Sequence, residues 1–403
     1  MTMHGHDGHD TPGGDTFAWL EQLLRTGGTD AAFEQLVERF RREKQYRRVF
    51  DARLMQKRIA LNLPPVSQPT LAELPKDVQQ AYQAAYVEAA REVGELFLAD
   101  GDIPRAWPYF RAVGNLDPVV HAIETFDAGD ADSPESQDRL GSTIQVAFQE
   151  GVHPRRGFEL ILTHFGLCRA ITMFSAYPDT NGRHDSLRLL VRTLHDELAG
   201  NLARAITAVE GTRPESTSIA SLIAGREWLF ENDAQHTDSS HLLSVLKLSA
   251  ELDDEKTLKL AIAIADYGTH LSPMFQPMDD PPFDNVYVDR GIYLRALAGE
   301  RVDAAVKHFE DKAARFDPAE YGTGPAETLV GLLVRLERFK DAIEVSRRYL
   351  SDIAAADLSC PSLAQLCQMA GDFEQLKSVS KDQDDLLNYL AAAVQSRSNL
   401  RLR

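Results

Sequence analysis

Histidine is the side chain best suited to acid–base work and metal ligation near neutral pH, and in this chain the histidines gather in the middle. His153, His164, His184, His195, His236, His241 and His270 fall in or beside residues 138–271, with Cys168, Asp179 and Glu197 among them. His164 and Cys168 are four residues apart, a spacing that on an unbroken helix sets imidazole and thiol on one face within reach of a single divalent metal ion. His184 and His195 share a helical phase, but at ~1.5 Å per residue they stand roughly 16 Å apart along the axis, too far for one ion. His236 and His241, with Asp238 between them, suit a loop better than a helix. No His-Glu-x-x-His or comparable signature occurs, and isolated histidines more often cap helices or fill cores.

A second constellation follows the segment Tyr177-Pro-Asp-Thr-Asn-Gly-Arg-His184. Arg188 and Arg192 lie one and two helical turns beyond His184, so Arg183, Arg188 and Arg192 present cations beside a turn whose Asn181-Gly182 favours left-handed backbone. Such a face would hold a carboxylate or phosphate, with His184 as acid or base. The alternative is that these arginines pair with Asp196, Glu197 and acidic surface elsewhere. At the N-terminus, removal of Met1 would give Thr2-Met3-His4, whose α-amine, two amides and third-position imidazole form the square-planar nitrogen set favoured by Cu(II) and Ni(II). The sequence shows no glycine-rich phosphate loop, Gly-x-Ser-x-Gly elbow or dinucleotide fingerprint. Cys360 and Cys367 read as core residues, and the three cysteines as reduced thiols.

The elements that must position these groups are helices. Apolar residues recur at three- and four-residue spacing almost throughout, as in Phe33, Leu36, Val37 and Phe40, while strand-like alternation is nearly missing. With 43% hydrophobic and 26% charged residues, the 403-residue chain has material for two or three packed domains or one extended helical array. Its apolar runs are punctuated by charge, so no membrane crossing is expected. A polar start without a secretory pattern points to the cytoplasm.

The net charge of −18 argues against general nucleic-acid binding, since phosphate backbones are repelled at long range. Residues 39–58 are the exception: nine cations, from Arg39 to Arg58, stand against Glu43 and Asp51, a net charge of +7. This is either a solvated helix surface or an anion-binding face.

Proline and glycine mark the boundaries. A His/Asp/Gly tail over 1–14 precedes N-terminal helices over 15–61, stopped internally at Gly27-Gly28. A proline-rich linker covers 62–75, helical hairpins follow over 76–126, and the acidic stretch Asp127–Pro134 leads to a central helical domain over 138–271. A proline-rich loop over 272–285 precedes the C-terminal helices, 286–403.

Within 76–126, the series Gly94, Phe97, Gly101-Asp102, Ala106, Phe110 and Asp117-Pro118 closely resembles one tetratricopeptide repeat. The resemblance implies that Gly94 and Ala106 let two helices approach, that Phe97 and Phe110 fill the space between them, and that Asp117-Pro118 ends the repeat. Val113, where the family prefers alanine, and Pro108, expected to kink the second helix, depart from it. Looser resemblances run from Tyr293 to Pro318 and from Leu329 to Leu350.

The fold expected is therefore all-α, with tetratricopeptide-like α-solenoid hairpins flanking a central helical bundle. The resemblance implies a protein–protein interaction scaffold whose concave helical groove takes a protein or peptide partner. The alternative is an enzyme whose anionic-substrate or metal site lies in the central His/Arg region.

Overall fold

The computed structural model describes residues 16–66, 74–129, 133–177 and 182–398. It is helical throughout, with no β-strand among the described residues. Two compact units emerge, one reaching Leu160 and including Tyr177, the other running from Ile161 to Ala176 and from Gly182 onward.

The first unit is a series of helices, α1 (Thr16–Arg42), α2 (Tyr46–Ala60), α3 (Lys76–Ala99), α4 (Ile103–Val113), α5 (Asp117–Glu124) and α6 (Pro134–Ile144), in which α1 to α5 pack on one another in chain order and α6 packs on α4. α1 breaks at Gly28, whose φ of 77° and ψ of −177° suit glycine almost alone. The stop anticipated at Gly27-Gly28 is thus where the chain places it. α4 begins at an N-cap in which Asp102 accepts from the Arg105 amide at 3.1 Å, and ends on left-handed Gly114. It continues through Pro108 with no non-helical residue, so the expected kink is not a break: Pro108 is exposed, and its ring projects to the open side.

The core of this unit runs from Val37, Tyr46 and Val49 through Val93 and Phe97 to Ala106, Trp107, Phe110 and Ile123. Gly94 is buried at the α3–α4 contact, and its nearest neighbour is the ring of Phe110 rather than Ala106. Rings form a continuous ladder beside it: Tyr46 on Phe97 at 5.1 Å, Phe97 on Tyr109 at 5.9 Å, Tyr109 on Phe50 at 5.4 Å.

α7 (Pro154–Phe174) follows a π turn at Gln145–Gln149 and breaks at Gly166, where φ is 75° and ψ −178°. It is the one described helix long and apolar enough by length and composition to cross a membrane. The break leaves two pieces, each well short of the ~20 continuous residues a crossing requires.

In the second unit α8 (Arg183–Glu210), α9 (Ile219–Ile223), α10 (Ser239–Leu248) and α11 (Glu255–Thr269) form a bundle. α11 packs on α8, α9 and α10 and on the helix that follows it, with Leu258, Ala261, Ile264, Ala265, Tyr267 and Gly268 among its buried residues. Helices then stack in chain order: α12 (Val286–Leu297), α13 (Val302–Arg315), α14 (Pro318–Tyr321), α15 (Gly324–Arg335), α16 (Phe339–Tyr349), α17 (Leu363–Ala370), α18 (Phe373–Asp382) and α19 (Leu386–Ser398). Main helices adjacent in this series pack on one another, α13 passing over the short α14 to meet α15, around a core of Phe309, Leu329, Leu333, Ile343, Leu366 and Leu376.

Candidate functional site

Arg183 opens α8, and its guanidinium meets Glu251 through two bonds of 2.8 and 2.9 Å, donates to the Phe174 carbonyl at 3.2 Å and lies 4.2 Å from the Phe174 ring centroid. Arg188, one turn on, is surrounded by carboxylates: Asp185 at 2.6 Å, Asp253 at 2.5 Å and Asp254 at 2.9 Å. Those hydrogen bonds, Asp253 first, raise its pKa and fix the charge. His184 is more than half exposed and stands 3.6 Å from Asp253. Arg192 is exposed, with no ion pair among the described residues. Arg183 and Arg188 are thus committed to the acidic segment 251–254 and to Asp185, not to Asp196 and Glu197. Asp196 instead meets His195 at 3.0 Å, and Glu197 faces Thr237. Residues 178–181 of the preceding loop lie outside the described residues.

His164 and Cys168 do not share the face of one continuous helix, because Gly166 breaks α7 between them; both side chains are exposed. Among the described residues no group of three or more His, Cys, Asp or Glu is gathered as a metal ion would need. His4 and the rest of the 1–14 tail lie outside the described residues. His236 sits in a loop, as its spacing suggested, and His241 on α10. The Tyr267 hydroxyl accepts from the His236 amide at 2.9 Å and lies 3.1 Å from Nδ1, while burial lowers the His236 pKa. This is a packed polar contact in a helical core.

A better-formed site lies in the first unit. A groove of about 760 Å³ is lined by Lys44, Arg47, Arg48 and Arg105 as cations and by Tyr46, Phe97, Pro104, Pro108 and Tyr109 as walls. Its size falls in the range of ligand-binding clefts. Three elements converge to build it: the α1–α2 turn with the first turn of α2, the end of α3, and one face of α4. Asp100 reaches Lys44 at 2.9 Å and accepts from the Tyr46 hydroxyl at 2.8 Å, contacts that lower the Asp100 pKa. Arg105 pairs with Asp102 at 3.3 Å. Arg47 and Arg48 are exposed and have no carboxylate partner among the described residues; Arg48 lies 5.6 Å from the Phe40 ring. Burial raises the pKa of Tyr109, and the nearby Arg47 charge pulls it the other way.

The sequence flagged the cations of 39–58 but not the walls they face, since those come from residues about fifty positions on. Compared with known protein families, curated proteins and solved structures, the chain matches none.

Proposed function

We propose that this chain is a tetratricopeptide-like helical-hairpin scaffold that holds an acidic segment of a partner protein in the groove between α2 and α4. The observation that carries the reading is the groove itself, where Arg47 and Arg48 stand exposed and unneutralised in a protein whose net charge is −18. Leaving two adjacent cations without partners amid so many available carboxylates makes the face complementary to an incoming anion. The stacking of α12 to α19 in chain order supports the scaffold reading. The enzyme alternative has less support, because Arg183 and Arg188 spend their donors on Glu251, Asp185, Asp253 and Asp254.

The test is fluorescence anisotropy with a labelled polyglutamate peptide and the full chain. Binding is expected to weaken as salt rises, because exposed charges are screened beyond about 8–10 Å near physiological ionic strength. It is expected to disappear in the double variant Arg47→Glu, Arg48→Glu. Binding indifferent to both, or none at low salt, overturns the proposal.

A further inference from the structure

The groove has an apolar side that an acidic chain alone would leave uncovered. Pro104 and Pro108 are four residues apart on α4, so they lie on one face of that helix, and with Tyr109 and Phe97 they make an apolar wall of the groove. Phe97 is almost buried, Tyr109 half-buried and Pro108 exposed. Tyr109 continues the ring ladder through Phe97 and Phe50, and Tyr46, Phe97 and Tyr109 of that ladder line the groove.

Pro108 is the costly member. A proline inside a helix forfeits one backbone hydrogen bond and destabilises the helix. Because Pro108 has no N–H, the carbonyl of Pro104 lacks its ordinary helical donor, and both residues line the groove. The wall therefore offers rigid apolar surface. A ligand that matched it would bring a flat apolar side chain.

Resting on the reading of the groove as an acidic-segment site, we infer that the segment it takes carries an aromatic anchor, with tryptophan the best fit, flanked by carboxylates. The ring lies on Pro108 and Tyr109, and the flanking carboxylates meet Arg47 and Arg48. Burying one such ring is worth a tenfold or larger gain in affinity, by roughly the 1.4 kcal/mol per decade that links free energy to binding.

The experiment compares three short peptides on the full chain by anisotropy or calorimetry: glutamates alone, the same with a central alanine, and the same with a central tryptophan. The tryptophan peptide is expected to bind about tenfold tighter or more than the other two. Pro108→Ala restores a helical N–H and should fold at least as well, so it is the variant of choice. It should shrink the tryptophan advantage severalfold, read as the ratio of tryptophan to glutamate peptide affinity on the same variant. Tyr109→Ala should remove the advantage altogether. Equal binding of all three peptides, still sensitive to salt, overturns the anchor while the acidic-segment reading stands. No binding of any peptide overturns both, and a tryptophan advantage unmoved by Pro108→Ala and by Tyr109→Ala overturns the assignment to this wall.

Discussion

Gly94 on α3 lies so close to Phe110 on α4 that a Cβ added to the glycine would stand 2.6 Å from the ring edge, nearer than any real contact. Phe110 is fully buried and cannot swing clear without vacating the centre of the first unit. A hydrogen atom is all the space allows, and the approach of the two helices depends on it.

Replacing Gly94 therefore overpacks the contact. Gly94→Ala is expected to destabilise by about 1–3 kcal/mol and Gly94→Leu by more, read as a lower denaturant midpoint. Gly94→Ala combined with Phe110→Leu should recover part of the loss, because the smaller side chain returns the space. A midpoint unchanged by Gly94→Leu would mean that α3 and α4 do not meet there.

That α3 and α4 meet closely at Gly94 was legible in the sequence because it is local, Gly94, Phe97, Ala106 and Phe110 falling within two helices joined by one tight turn; that Gly94 meets Phe110 rather than Ala106 was not. Helical class was legible for the same reason, being written in spacing, and so was the stop at Gly27-Gly28. What spacing could not show was partnership across long separations. Arg188 finds its carboxylates at 253 and 254, more than sixty residues on, while Asp196 and Glu197, nearer in sequence, face elsewhere. The His164–Cys168 pair failed on a single residue, Gly166, and a glycine in mid-helix was the signal available to foresee the break.

The Arg188 cluster is a structural tie between α8 and the start of α11, where Asp254 also caps the helix by accepting from the Thr257 amide at 2.9 Å. Arg188→Ala leaves three carboxylates facing one another. Because the group is partly exposed, the expected loss of stability is modest, about 1 kcal/mol, and larger at low salt than at high salt. Peptide binding in the groove should be unaffected. Loss of groove binding without loss of stability would instead implicate this cluster in function.

The cysteines should differ sharply in reactivity. Burial pushes the thiols of Cys360 and Cys367 up to about 11, whereas Cys168 is exposed. At pH 8 only about one in a thousand of the two raised thiols is ionised, and the thiolate is the nucleophile. Iodoacetamide applied to the native chain is expected to label Cys168 first by a wide margin, with Cys360 and Cys367 labelled after unfolding. Mass spectrometry of the digested protein reads the order, and early labelling of Cys367 would contradict its place in the core.

Tyr267 supplies the pH dependence. It is fully buried on α11, and burial raises its hydroxyl pKa from 10.0 to about 12, partly opposed by the bond from the His236 amide. A pKa higher in the folded than in the unfolded chain means that the folded state holds the proton more tightly. Its contribution to stability is complete below pH 10 and is lost as pH rises through about 12. Tyr287 is shifted in the same direction by burial, so the two act together. Stability measured by denaturant unfolding should be flat with respect to these groups up to about pH 10 and then fall steeply. Tyrosine absorbance should show a late-titrating class that appears together with unfolding. Tyr267→Phe should make the alkaline fall shallower. It should also lower stability near neutrality by about 1 kcal/mol, since the His236 amide loses its acceptor. If Tyr267→Phe leaves the alkaline slope as steep as before, Tyr267 does not hold its proton in the folded chain and the buried contact with His236 is misplaced.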